Sequence, residues 1–77
     1  MDKLLLRLQS DFPGHTFDSR KGMFGQQLLV DGAIATSTWD MGTELLNNVE
    51  FAKQVKELNA EESLYEFLKL KVKNYLN

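Results

Sequence analysis

His15 is the only histidine in a 77-residue chain that has no cysteine, so it is the first residue to weigh as a general base or a metal ligand. A nucleophile beside it would have to be Ser10 or Ser19, and neither belongs to a nucleophile motif. At the opening of a predicted strand, His15 reads as an edge residue. Asp18, Asp31 and Asp40 are dispersed over three strand or turn positions. A metal there would need an all-oxygen site, and no ligand spacing supports one. Gly22-Met23-Phe24-Gly25 lacks the GxGxxG spacing and the strand-to-helix context of a dinucleotide loop, so these glycines read as turn and bulge devices. Lys69, Lys71 and Lys73 could meet phosphate, but lysines late in a helix are already explained by the helix dipole. These residue types predict a non-enzymatic protein with no catalytic group, no metal and no cofactor.

The elements that carry these residues are easier to read. Asp31-Gly32 suits a two-residue type I′ hairpin turn, because both central residues need positive φ and Asp and Gly tolerate it best. Pairing outward sets Val30 opposite Ala33, Leu29 opposite Ile34, Leu28 opposite Ala35, Gln26 opposite Ser37 and Phe24 opposite Trp39. A second turn at Lys21-Gly22 would set Met23 opposite Arg20, Gln26 opposite Phe17 and Leu28 opposite His15. It is the poorer turn, since Lys disfavours positive φ and Gly25 can hold a bulge. The two hairpins agree on the faces. Phe17, Phe24, Leu28, Val30, Ala33, Ala35 and Trp39 share the core face. Thr16, Asp18, Arg20, Met23, Gln27, Leu29, Ile34, Thr36 and Thr38 share the other.

A short helix precedes this meander, capped by Asp2 and ended by Asp11-Phe12-Pro13-Gly14, with Met1, Leu4, Leu5, Leu8 and Phe12 on one stripe and Leu6 off it. After the sheet, a helix over roughly 48–58 is expected, with Asn48 as its cap and a separate helical turn before it. The last helix starts at Asn59-Ala60-Glu61-Glu62, with acidic residues early and lysines late. Its core stripe is Leu64, Tyr65, Leu68, Val72, Tyr75 and Leu76, which leaves Phe67 and Leu70 on another side, facing either the preceding helix or an exposed surface that could meet a partner. The expected fold is α+β in the order α-β-β-β-α-α. It has an N-terminal helix, a three-stranded antiparallel meander, and two C-terminal helices packed on one sheet face. Residues 1–77 make a single small domain with roughly 3–5 kcal/mol of net stability.

Nine Lys and Arg stand against eleven Asp and Glu, a net charge of −2 with no charged arm in any segment. That balance argues against nucleic acid, whose binding is driven by clustered cations. The first residues form no secretory signal and no stretch approaches a membrane span, so a cytoplasmic protein with no membrane association is expected. The order helix, three-stranded meander, helix resembles in outline the double-stranded RNA-binding domain, and the sheet followed by a helix is similar to the small DNA-binding modules of phage-type integrases and plant transcription factors. Such resemblances imply Lys at the start of the final helix or Arg on the open sheet face. Here the helix opens Ala60-Glu61-Glu62, and the sheet offers only Arg20 and Lys21 beside Leu29 and Ile34.

The function expected from sequence is a protein-interaction or regulatory module of bacterial or phage type. It would bind a protein partner or itself through the open sheet face or an edge strand, using Met23, Leu29, Ile34, Thr36, Phe67 and Leu70. The alternative is a small nucleic-acid-binding domain using Arg20, Lys21 and the Lys69 to Lys73 helix end.

Overall fold

The computed structural model describes residues 2–23 and 25–77. It has the element order α1 (Asp2–Asp11), β1 (Phe17–Gly22), β2 (Gly25–Val30), β3 (Ala33–Ser37), α2 (Thr38–Asn47), α3 (Val49–Glu57) and α4 (Ala60–Leu76). The α+β reading stands: a leading helix, an antiparallel sheet in the order β1-β2-β3, then helices. The helices after the sheet number three rather than two. The extra one, α2, begins on residues expected to end the third strand and takes in the separate helical turn expected before Asn48.

The Asp31-Gly32 turn forms as its chemistry dictates, with φ of 53° at Asp31 and 87° at Gly32. Val30 pairs with Ala33 and Leu29 with Ile34, as expected. The other turn moves. β1 runs on through Lys21 to Gly22, which pairs with Gly25, so the turn follows Gly22. Positive φ falls on Gly25, at 110°, and not on a lysine that would resist it. Gly25 is also fixed sterically, because a Cβ there would lie 2.3 Å from the Thr38 hydroxyl. Relocating the turn slides β1 by an even number of residues, so the side chains keep their faces although their partners change. Phe17 now opposes Val30, and Ser19 opposes Leu28. The places expected for Met1 and Phe24, including the Phe24–Trp39 pair, lie outside the described residues.

The β2–β3 ladder slips by one residue. It steps from Leu29–Ile34 to Leu28–Thr36 and leaves Ala35 as the extra residue. An odd shift reverses the faces beyond it, so Thr36, expected on the open face, is only 3% exposed in the core. Its hydroxyl donates to Oδ2 of Asp40 at 3.1 Å, and the same oxygen accepts from the Ser37 amide at 3.0 Å. Ser37 and Asp40 thereby open α2 where the strand was expected to continue. Trp39 consequently stands on a helix and is 59% exposed.

Leu4 and Leu8 of α1, Leu28 and Val30 of β2, and Tyr65, Phe67, Leu68 and Val72 of α4 form the buried cluster, with Phe12, Phe17, Met41, Phe51 and Leu76 among the residues packed around it. α1 buries Leu4 and Leu8 of the expected stripe, sets Leu5 and Phe12 partly buried beside them, and leaves Leu6 outside. Asn48 separates α2 from α3, and its side chain accepts from the Phe51 amide at 3.1 Å, as the capping pattern predicts. Asn59 does the same for Glu62 at 2.8 Å. Of the two places open to Phe67 it takes the one against the preceding helix and not the partner-binding surface: it is 1% exposed, with the Phe51 and Phe67 rings 5.8 Å apart. Tyr75, expected inside, is largely exposed.

Phe67→Ala should cost about 3–5 kcal/mol, most of the stability of so small a chain. Trp39→Ala should cost well under half of that. Urea denaturation of the two variants checks the order.

The Asp31 turn is also tied to the chain leading into β1. Nδ1 of His15 lies 2.8 Å from Oδ2 of Asp31, and the Thr16 amide donates to Oδ1 at 2.9 Å. The His15 contact, followed by the Thr16 amide, holds the Asp31 carboxyl below its ordinary value of 3.8. A carboxyl whose pKa is lower folded than unfolded stabilises the fold at higher pH, and that contribution is lost as pH falls through the folded value. Asp31→Asn keeps a residue that tolerates positive φ and removes the charge. The urea midpoints of wild type and Asp31→Asn should differ at about pH 6, and the difference should shrink as pH falls below the ordinary carboxylate range.

Candidate functional site

The residues weighed for chemistry are mostly engaged in holding the fold. His15 is bound to Asp31, and its carbonyl accepts from the side chain of Gln9 on α1. Asp40 caps α2, and Asp18 accepts from the Ser19 amide at 2.8 Å. Lys69 stands over the Tyr65 ring, 6.0 Å from its centroid, whereas Lys71 reaches the other way to Glu44 of α2 at 3.0 Å and lies over Phe67. Arg20 donates to the side chain of Gln27 at 2.7 Å. The late lysines of α4 thus leave the helix on different sides rather than forming one phosphate-facing row. Among the described residues, no group of three or more acidic or histidine side chains is placed to hold a metal ion. Among the same residues no helix is long and apolar enough to cross a membrane.

Of the residues expected to meet a partner, Leu29 and Ile34 do oppose each other on the sheet face away from the core, with Ile34 about half exposed. Met23 is 90% exposed at the β1–β2 turn, and Leu70 is half exposed on α4. Thr36 and Phe67 are not on a surface at all: the Ala35 slip turns the first inward, and α3 covers the second. The open sheet face is therefore a two-residue apolar spot among Asp18, Arg20 and Gln27. The edge strands are poor templates as well. β1 carries Asp18, Arg20 and Lys21, and β3 is short and broken in register at Ala35.

A larger apolar surface lies on α2. Trp39, Gly42, Thr43 and Leu46 stand at i, i+3, i+4 and i+7, the spacing of one helix face. The opposite side of the helix presents Met41 to the core. With Thr38, the four residues line a shallow groove of about 320 Å³. Leu46 is 88% exposed at one end of it. The Thr43 hydroxyl donates to the carbonyl of Trp39 at 3.1 Å, which leaves its methyl to complete the apolar surface. Beyond the two ends of α2 lie Met23, on the turn that Gly25 holds against Thr38, and Val49, which opens α3 and is nearly as exposed as Leu46.

No protein-family model, curated protein or solved structure matches this chain. The α2 face must be read from its own chemistry.

A second hollow of similar size, about 310 Å³, lies between β3, α2 and α4 and is lined by Thr36, Asp40, Glu44 and Lys71 among others. Its polar groups are bound to each other, Thr36 to Asp40 and Lys71 to Glu44, so a ligand would have to break those contacts. The α2 groove is lined by uncharged side chains. It was missed from sequence because 38 and 39 read as the end of a strand. The available signal was Ser37-x-x-Asp40, a cap with an acidic residue three positions on.

Gly42 is the odd residue of this face. It is in the interior of a helix, its φ is not in the left-handed region, and a Cβ added there would meet nothing within 4 Å. Gly42→Ala should therefore raise stability by about 0.5–1 kcal/mol, measured by urea denaturation in dilute solution.

Proposed function

We propose that this chain is a protein-interaction module that docks through the outer face of α2. The observation that carries this reading is the run of Trp39, Gly42, Thr43 and Leu46 on one exposed helix face, free of charge and centred on a groove. Apolar patches of this kind on small proteins are commonly binding surfaces. Tryptophan is favoured at the centre of such contacts, where one large ring is desolvated with few rotamers to freeze. Among the faces considered from sequence, the open sheet face supplies a smaller spot, and the strand edges are charged or broken. The α2 face takes precedence over both.

Leu46 is almost wholly solvent-exposed, so Leu46→Asp leaves the core untouched. In affinity capture from cell extract, the variant should retain its cooperative melt and lose the protein that the wild-type chain retains. Equal capture by both proteins would show that the α2 face is not the docking surface.

A further inference from the structure

We infer that the occupant of the α2 face is α2 of a second copy of this chain, the two helices crossing antiparallel at Gly42. This rests on the docking reading above and names its partner.

Gly42 supplies the first argument. Glycine weakens a helix interior, and nothing inside the chain requires it there: the space around its Cα is open and its backbone is ordinary helix. A glycine on an exposed helix face is accounted for when another backbone approaches that face closely, because a Cβ would hold it off. The second argument is the order of residues. Trp39 lies three residues before Gly42, and Leu46 three residues after Thr43. A two-fold axis between Gly42 and Thr43 sets Trp39 of each copy on Leu46 of the other and brings the two small positions together at the crossing. A face that is its own complement under a two-fold rotation is what an isologous dimer requires.

Charge is the third. Near a two-fold axis each residue meets its own kind, so any charge there is repelled by itself. Thr38, Trp39, Gly42, Thr43 and Leu46 carry none, whereas the exposed residues of α3 and α4 include Glu50, Lys53, Glu57, Glu66 and Lys73. The area fits a reversible contact. Trp39 and Leu46 are 59% and 88% exposed, so the face they frame is small beside a standard interface. The dimer should accordingly be concentration-dependent.

Sedimentation equilibrium of the full chain, from micromolar to near-millimolar, tests this. The expected mass rises with concentration from 8.8 kDa toward twice that value. Emission from Trp39, the only tryptophan, should shift to the blue in parallel. Gly42→Leu and Leu46→Asp should each remain at 8.8 kDa throughout while keeping the wild-type circular dichroism and a cooperative melt. A wild-type chain that is monomeric at every concentration overturns the inference, as does a dimer that persists in both variants with Trp39 emission unmoved. A monomer that still captures another protein in a Leu46-dependent way overturns the second copy as occupant and leaves the docking face standing. A monomer that captures nothing overturns both.

Discussion

The ladder sets Thr36 opposite Leu28 in the core by leaving Ala35 as the extra residue of β3. This one-residue slip governs the second half of the structure. It buries a hydroxyl, and a buried hydroxyl must find a partner. The partner is Asp40, four residues on, which can reach back only if the chain has already turned helical. The same carboxylate then takes the Ser37 amide, one of the donors that a helix start leaves without an internal acceptor. Strand end, buried polar group and helix start are thus a single arrangement, with Asp40 as its hub. Because α2 starts at Thr38, Trp39 is carried outward on a helix, and the apolar face of α2 exists only as a consequence.

The rest of the fold is organised by α4, which contributes Tyr65, Phe67, Leu68 and Val72 to the buried cluster against α1 and the sheet. Several polar contacts fix how the other elements lie on it or on each other. Arg7 of α1 reaches Glu62 at 2.7 Å and stacks on Tyr65, and Glu44 of α2 reaches Lys71. At the opposite end, His15 and Thr16 bind Asp31. All these ion-pair partners are substantially exposed, and exposed pairs contribute little to net stability. Their role is orientation: each joins residues distant in sequence at the rim of a core too small to fix every helix by packing alone.

How much of this was legible in the sequence depended on whether the deciding interaction was local. Asp31-Gly32, Asn48 and Asn59 act on their own turn or first helical turn, and each does in the structure what its type predicts. The face assignment of β1 survived an error in the turn, because the true turn lies an even number of residues away in register. The slip at Ala35 was not legible. Nothing local marks Ala35 as the residue to be skipped, since alternation through Ala33, Ala35 and Ser37 is equally acceptable as a strand pattern. What differs between the registers is whether Ala35 or Thr36 opposes Leu28. The errors at Thr36 and Trp39 both descend from that one choice. The place of Phe67 stayed open for a related reason: which side of α4 is covered depends on where α3 lands, and the spacing within α4 carries no record of it.

The two apolar sides of α2 then have different causes. Met41 packs against the buried cluster on the side of α2 that lies by the sheet. Leu46 is 88% exposed, and a chain with so small a core gains nothing in stability by leaving a large apolar side chain in water. Gly42 sharpens the point, since on folding grounds alone alanine is the better residue there. Two positions on one helix face are thus each suboptimal for the isolated chain, and they lie together with Trp39 around one groove. Such a cluster of locally unfavourable choices marks a surface shaped by something outside the monomer. The small residues at its centre, with large ones at equal distance on either side, indicate that what covers it comes close to the helix backbone at the middle and is gripped at both ends.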